Sequence, residues 1–300
     1  MSPGGASGRS HMTSPTSLRT HVVGSGPDAI TYDVWGDLGA ATPERPALLL
    51  FGSPMDAGGF ATLAGSFADR PVVTLDPRGA GRNPTGVDDV TPEQHAEDLH
   101  RVVGALGVGA VDAFGTSGGA VNLLALLAAH PDDVRRAVAH EPPTAAYLPD
   151  REVVLAVIGA MKATYLSSGD GPAMAAFIAL VMHQGELTAD YLDRPAPDPA
   201  QLGLSAVDDG VRSNPLFRNM PSGIEHRVAD AVRGLGHRLV IAVGAESGDE
   251  LAARGGRSVA DHLGLPVTVF PSHHGGFLAA GMGPPGDPEG FAAALRAVVG

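Results

Sequence analysis

Short apolar runs alternate with helical segments along most of this 300-residue chain, and this alternation limits the possible folds more than any other feature. The runs are bounded by turn residues and fall at residues 47–51, 72–75, 111–114, 137–139, 239–243 and 267–270. Helical patterns lie between or after them, at residues 91–106, 119–130, 251–263 and 287–299. Strands that alternate with helices predict a mostly parallel sheet with helices on both faces.

The N-terminal region has a different pattern. Polar and apolar residues alternate in residues 21–23 and 30–35, which predicts two further strands with a turn at 24–28. Residues 1–11 are rich in Gly and Ser and are interpreted as a cloning scar, so Met12 is the expected native start. The predicted sheet therefore has eight strands, and the core is expected to comprise residues 12–143 and 236–300.

Residues 144–235 interrupt the alternation, because they contain helical patterns and proline-rich loops but no convincing strand. Helices are expected at 152–165 and 173–184, followed by a looser region. We expect this insertion to be a helical lid over a site, since long insertions in compact domains are often functional. The alternative is a purely structural insertion. The residues that could line an apolar pocket there, or simply pack in a core, are Met161, Phe177, Met182, Phe217 and Met220.

Composition excludes several classes of protein. A net charge of −13 argues against a nucleic-acid or anionic-membrane partner, which needs a basic surface. The chain has no cysteine, so disulfides, thiolate metal sites and cysteine nucleophiles are excluded. The longest apolar stretches are too short to span a bilayer and the N-terminus lacks a signal-peptide pattern, so a cytoplasmic location is expected.

A Gly-x-Ser-x-Gly motif at residues 115–119 (GTSGG) follows one predicted strand and opens the next helix. In this context the flanking glycines permit a sharp strand-to-helix turn that exposes a serine hydroxyl. Ser117 is therefore the candidate nucleophile, and the backbone N–H of Gly118 is a candidate oxyanion donor. The alternative is an ordinary glycine-rich turn.

A serine nucleophile needs a histidine base, and the chain has 12 histidines. Most of them stand among polar neighbours and show no special setting: His95, His100, His226, His237 and His262. His273 and His274 differ, because they follow the last apolar run. In serine–acid–histidine triads on a sheet of this kind, the histidine stands on the loop after the last strand. His274 is preferred. A metal site at these two histidines is disfavoured, since no carboxylate stands at ligand spacing.

The acid that orients the histidine has two candidates at the ends of predicted strands, Glu141 and Glu246, with Asp249 as a weaker third. The second oxyanion donor is expected from the loop after an early strand, where Ser53 is the candidate. In the loop at residues 76–82, the arginines are expected to form salt bridges that hold the loop.

These motifs resemble the α/β-hydrolase superfamily over nearly all of residues 20–299. The matching segments are residues 51–54 (FGSP), 76–81 (DPRGAG), 115–119 (GTSGG) and 274–277 (HGGF). The family often has x-Gly-aromatic after its catalytic histidine, which His274 alone satisfies. The chain resembles actinobacterial α/β hydrolases of the same length, and its high Ala, Gly and Arg content fits such a source.

The resemblance also bears on the acid and the oxyanion loop. Glu141 is similar in position to the acid of haloalkane dehalogenases and some epoxide hydrolases, which follows the sixth strand. Those enzymes use an aspartate nucleophile, whereas Ser117 here implies acyl transfer. The family usually has His-Gly before the oxyanion donor, whereas this chain has Phe51-Gly52.

Together these features predict a serine hydrolase that cleaves an ester, lactone or related acyl bond of a small molecule through a Ser117–His274–Glu141 triad. Ser53 and Gly118 are expected to hold the oxyanion, and no cofactor and no metal is expected. Two alternatives stay open, namely non-hydrolytic acyl transfer or cyclisation in biosynthesis, and a catalytically silent binding protein. A homodimer is also left open.

Overall fold

The computed structural model describes residues 17–300, so the expected cloning scar at residues 1–11 and the expected start at Met12 lie outside the described residues. Eight strands form one sheet. They are β1 (Leu18–Val23), β2 (Ile30–Trp35), β3 (Leu48–Phe51), β4 (Val72–Leu75), β5 (Val111–Thr116), β6 (Val134–His140), β7 (Leu239–Gly244) and β8 (Val267–Phe270).

Eight α-helices accompany the sheet in the described residues. They are α1 (Ala61–Gly65), α2 (Pro92–Leu106), α3 (Gly118–Ala129), α4 (Arg151–Ser168), α5 (Asp170–Val181), α6 (Pro215–Glu225), α7 (Leu251–Leu263) and α8 (Pro288–Val299). Short 3-10 turns connect several of them. Two of the helices have clear N-terminal caps: Thr91 and Gln94 form a capping box at the start of α2, and the Asp287 carboxylate accepts the Gly290 N–H at the start of α8.

The strand order is β1-β2-β4-β3-β5-β6-β7-β8. The two pairings made by β2 are antiparallel, and every pairing from β4 to β8 is parallel. This confirms the predicted α/β-hydrolase fold with a mostly parallel eight-stranded sheet. Because parallel strands point the same way, the residues that follow β3, β5, β6, β7 and β8 meet along one edge.

Both faces of the sheet are buried. One apolar core packs α2, α3 and α7 against the sheet, and it includes Leu99, Leu123 and Val259. A second core lies on the opposite face under α1 and α8, with Phe114, Phe277 and Phe291 in edge-on or tilted contact. The sheet is therefore a rigid platform for the loops at its carboxyl edge.

Residues 144–235 contain helices and 3-10 turns but no strand. Helices α4, α5 and α6 form a third apolar cluster, in which Tyr165 stacks on Phe217 with ring centroids 4.6 Å apart. The prediction of a loose region after residue 184 was wrong in part, because α6 forms there. Pro215 fits the first turn of α6, where no N–H is needed, and Phe217, Met220 and Ile224 form its buried face.

Candidate active site

Ser117 stands at the junction of β5 and α3 with φ 55° and ψ −130°, a backbone conformation that residues other than glycine rarely adopt. The glycines around it leave room for this turn. A Cβ on Gly115 would lie 2.6 Å from the Gly119 carbonyl oxygen, and a Cβ on Gly119 would lie 2.7 Å from the Gly52 Cα atom. The spacing of the Gly-x-Ser-x-Gly motif thus follows from close backbone contacts on both sides of the serine.

The loop after β3 packs directly on this turn. A Cβ on Gly118 would lie 2.6 Å from the Ser53 carbonyl oxygen, so the two backbones are in contact. Within residues 17–300, neither the Ser53 N–H nor the Gly118 N–H has an acceptor. The loop is held by Asp76, whose carboxylate accepts the Ala57 N–H at 3.0 Å. The two predicted oxyanion donors are therefore adjacent and unpaired.

Glu141 and His274 are brought together by the ends of β6 and β8. The distance between Glu141 Oε2 and His274 Nδ1 is 2.5 Å. Glu141 is fully buried, its N–H is bound to the Ala242 carbonyl, and its Oε1 accepts the Gly244 N–H at 2.8 Å. These bonds hold the carboxylate on β7 and aim its other oxygen at the imidazole. The His274 side chain is 35% exposed, which leaves Nε2 available on the opposite edge of the ring.

The charge of this pair is set by competing effects. Burial raises the pKa of Glu141, but the hydrogen bond with His274 and the neighbouring imidazoles outweigh burial and lower the pKa to about 2. Glu141 is thus a carboxylate at neutral pH. His140 lies behind the pair, 5.9 Å from the His274 ring, and burial lowers its pKa to about 4. His140 is therefore uncharged, and Thr116 Oγ1 lies 3.0 Å from its Nδ1.

Backbone strain is concentrated around these residues. Among residues 17–300, the non-glycine residues with positive φ are Ser117, Glu141 and Ser272, the last standing two positions before His274. Such conformations cost free energy and tend to cluster at functional sites. Each of them lies at the carboxyl edge of the sheet, just beyond β5, β6 or β8.

The remaining sequence candidates lie elsewhere. Glu246 is exposed at the rim of the cavity, and Asp249 is exposed and paired with Arg257 at 3.2 Å. His273 is used by its own loop, since its Nε2 lies 3.2 Å from the Pro285 carbonyl and its Nδ1 accepts the Gly275 N–H. In the loop at 76–82, Arg78 pairs with Asp98, and Arg82 pairs with Asp33 and Asp76, which confirms the expected salt bridges.

A cavity of about 600 Å³ opens above Ser117 and contains His274, Ser53 and Gly118 in its wall. Much of the remaining wall comes from residues 144–235 and is apolar. Of the residues that the sequence suggested for an apolar pocket, Phe177, Met182 and Met220 line the cavity, whereas Met161 and Phe217 are buried in the third apolar cluster. The cavity can enclose a small organic molecule next to the serine.

Three polar residues of this wall escaped the sequence analysis. The expectation of an ordinary setting for His95 was wrong, because it is 4% exposed and lines the cavity. Asn122 and Asn219 line it as well. Asn122 could have been found from its position five residues after Ser117, on the helix that begins directly after the serine. Asn219 lies in α6, a helix that the sequence did not predict because of Pro215 and Pro221.

Two groups of residues have the composition of metal ligands among residues 17–300. One consists of His140, Glu141 and His274, and here Glu141 is already hydrogen-bonded to His274. The other is a surface group, in which the His100 and His130 rings stack 3.8 Å apart and 8° from parallel, next to Asp133. Ring nitrogens bind metals through lone pairs in the ring plane, and those of parallel stacked rings do not converge on one ion.

The chain belongs to the α/β-hydrolase family. The model of that family, described as the alpha/beta hydrolase fold, matches residues 48–208, which is more than half of the chain. The match includes the strand and turn that carry Ser117, the loop of Ser53 and the position of Glu141. No curated protein matches the chain in a sequence comparison.

Solved structures share the fold at low sequence identity. A hydrolase from Pseudomonas aeruginosa is 19% identical with a TM-score of 0.59, and the match covers 94% of this chain and 98% of that one. E-2-(acetamidomethylene)succinate hydrolase is 21% identical with a TM-score of 0.58 and coverages of 94% and 99%. The enol-lactonase from Burkholderia xenovorans is 20% identical with a TM-score of 0.57 and coverages of 82% and 90%.

No helix within residues 17–300 combines the length and the apolar character that crossing a membrane requires.

Proposed function

We propose that this α/β hydrolase is a serine hydrolase that cleaves an ester, lactone or related acyl bond through an acyl-enzyme. Ser117 is the nucleophile, His274 the general base and Glu141 the residue that orients the imidazole. The observation that carries the proposal is the 2.5 Å contact between buried Glu141 and His274 Nδ1, with His274 and the strained Ser117 in the wall of the same cavity. This geometry supports the roles of nucleophile, base and orienting acid for the three residues.

In the first half of the reaction, the Ser117 hydroxyl attacks the carbonyl carbon and its proton passes to His274 Nε2. The carbonyl oxygen becomes an oxyanion, which accepts hydrogen bonds from the Ser53 and Gly118 N–H groups. The dipole of α3 adds positive potential at the same point. When the tetrahedral intermediate collapses, the bond to the leaving group breaks and His274 returns the proton to that group.

In the second half, His274 takes a proton from water, and the hydroxide formed attacks the acyl carbon. The ester bond to Ser117 then breaks and the serine recovers its proton from His274. Throughout both halves the Glu141 carboxylate accepts the Nδ1–H, which fixes the tautomer and offsets the positive charge of the imidazolium. Its lowered pKa supports this role, because the group stays ionised at neutral pH.

The helical segment 144–235 is proposed to be a lid, with residues 17–143 and 236–300 as the catalytic core. Residues Phe177, Leu216 and Met220 of this segment line the cavity above Ser117 and limit the access of water to the acyl-enzyme. Similar structures that carry the names enol-lactonase, esterase and proline iminopeptidase support a reaction at a carbonyl carbon.

A fluorophosphonate probe tests this proposal, since an activated serine reacts with it far faster than an ordinary hydroxyl does. We expect labelling of one serine, located at Ser117 by peptide mass spectrometry, and loss of labelling in Ser117→Ala. Ser66→Ala is the matched control, because Ser66 lies at the end of α1 with its hydroxyl bound to the Thr62 carbonyl. A wild-type protein that does not label would indicate a silent binding protein and overturn the proposal.

A further inference from the structure

Two buried polar side chains and one half-buried one form part of the cavity wall, next to the oxyanion loop: His95 on α2, Asn122 on α3 and the half-buried Asn219 on α6. We call this group the polar floor. The proposed triad uses none of its members. Each comes from a different helix, and His95 and Asn122 are only 4% and 5% exposed.

Asn122 is the member that presents free hydrogen-bonding groups to the cavity. It stands one helical turn after Gly118 on α3, so the two residues share a face of the helix. Its side-chain amide has no partner within residues 17–300, yet it is not sealed off from the cavity. A buried amide without partners is unfavourable unless a ligand or water supplies them.

Asn219 contacts the oxyanion loop from the segment 144–235. Asn219 Nδ2 donates to Ser53 Oγ at 3.2 Å, while Asn219 Oδ1 and His95 Nε2 are buried without a well-aligned bond. The Asn219 hydrogen bond links α6 to the Ser53 loop. The polar floor is therefore adjacent to the position of the reacting carbonyl.

No member of the polar floor carries a charge at neutral pH. Burial lowers the pKa of His95 to about 4, and the charges of Arg78 and Arg218 contribute to the lowering. Neither arginine lines the cavity, and Arg78 is paired with Asp98. The ionisable groups at the rim include Glu246 and Glu250, and burial raises the pKa of Glu250. A carboxylate on the substrate would meet repulsion at the rim and no cation at the polar floor.

We propose that the polar floor is an acyl-side subsite for an uncharged hydrogen-bonding group, foremost a hydroxyl, which pairs with the Asn122 amide. An amide both donates and accepts, so it matches a hydroxyl in either sense. The apolar remainder of the wall, including Ile158, Leu180 and Ile224, takes the hydrocarbon part of the substrate. This inference rests on the proposed function, because Ser117 defines where the acyl carbon lies.

The test compares three p-nitrophenyl esters with the same leaving group, namely 3-hydroxybutyrate, butyrate and the succinate monoester. For the wild-type protein we expect kcat/KM to be about tenfold or more higher for 3-hydroxybutyrate than for butyrate, and lowest for succinate. Asn122→Leu removes the amide at nearly equal volume and should bring the ratio of the first two esters close to 1. Because both esters use the same site, a general loss of activity cancels in the ratio.

Asn122→Asp serves as the second variant, since it keeps an acceptor oxygen and should keep part of the hydroxyl preference while lowering succinate hydrolysis further. Wild-type protein that labels with fluorophosphonate but does not prefer the hydroxy ester overturns the subsite alone. A hydroxyl preference that persists in Asn122→Leu also overturns it. Failure of Ser117 to label overturns the proposed function instead, and the subsite with it.

Discussion

Glu141 Oε2 and His274 Nδ1 lie 2.5 Å apart, although 133 positions separate the two residues in the chain. The parallel strands bring them together, because β6 and β8 flank β7 and end at the same edge of the sheet. The carboxylate reaches across the end of β7, where the Gly244 N–H binds its other oxygen. Glu141, His274 and the backbone of three strands thus form one connected unit.

Replacement of the acid is the first prediction. Glu141→Gln keeps the shape of the side chain but removes the charge that stabilises the imidazolium, so kcat should fall by roughly 10²–10⁴ with the fold retained. Glu246→Gln is the control, because Glu246 is exposed at the rim, and it should cost less than about tenfold. Steady-state kinetics and circular dichroism check both. A larger loss in Glu246→Gln would move the acid to the loop after β7.

The two adjacent histidines allow an equally direct comparison. His274→Ala should remove measurable turnover, because no other imidazole pairs with Glu141 at hydrogen-bonding distance within residues 17–300. His273→Ala should keep substantial activity, since both nitrogens of His273 serve its own loop. The rates of fluorophosphonate labelling provide the measurement. Reversed outcomes would mean that the loop after β8 presents the other ring to Ser117.

Much of this architecture could be predicted from the sequence, because short apolar runs and helix caps are local signals. The predicted strand at residues 267–270 and the helix at 251–263 have the observed bounds. Ser117 could be predicted as the candidate nucleophile because the residues of its motif are contiguous in the sequence. The contact between Glu141 and His274 depends on the strand order. Both Glu141 and Glu246 follow predicted strands, so the sequence alone does not decide which of the two carboxylates lies next to His274.

The parts that escaped prediction depend on burial rather than on local pattern. His95 stands among polar neighbours in the sequence, yet the packing of α2 against α3 and α6 encloses it. Pro215 and Pro221 suggest a loop, although the first fits the start of α6 and the apolar face of that helix outweighs the cost of the second. The position of Asn219 in the cavity wall therefore could not be predicted without knowledge of α6.

Buried neutral histidines predict a pH dependence of stability. Burial lowers the pKa of His140 and His95 to about 4, whereas unfolded histidine titrates near 6.5. As the pH falls through this window, the unfolded chain binds protons first, so stability that is present above pH ~6.5 is lost towards pH ~4. Each residue contributes a slope of up to about 1.4 kcal/mol per pH unit to the free energy of unfolding.

Denaturant unfolding between pH 7 and 4 measures this slope. His140→Phe should lower it by about 1.2 kcal/mol per pH unit near pH 5, because one titrating group is gone. Phenylalanine suits the aromatic surroundings of Phe114, Phe270 and Phe291. His237→Ala, at an exposed position, should leave the slope unchanged. An unaltered slope in His140→Phe would contradict a neutral His140.

The third apolar cluster yields a prediction for the stability of the segment 144–235. Phe217 is fully buried and stacks on Tyr165, so Phe217→Ala should lower the stability of the segment by about 3–5 kcal/mol. Leu166→Ala is the control, because Leu166 is 57% exposed, and its effect should stay within about 0.5 kcal/mol. Hydrogen exchange resolved by segment gives the readout. Equal protection of α4 and α6 in the two variants would argue against a shared core in residues 144–235.

The backbone contact between the serine turn and the oxyanion loop provides the last prediction. In Gly119→Ala, the new Cβ would lie 2.7 Å from the Gly52 Cα atom and 2.8 Å from the Phe51 carbonyl oxygen. Backbone cannot yield as a flexible side chain does, so the loop must shift and carry the Ser53 N–H away from the oxyanion. We expect kcat to fall by about 10²–10³, the usual cost of losing one oxyanion donor.

Gly159→Ala is the matched control for that variant, since it lies on an exposed face of α4 with nothing within 4 Å of the added atom. It should leave activity unchanged and raise stability by up to about 1 kcal/mol through helix propensity. Kinetics and denaturant unfolding of the two variants side by side separate displacement of the loop from a general effect of alanine. Full activity of a folded Gly119→Ala protein would show that the Ser53 N–H does not hold the oxyanion.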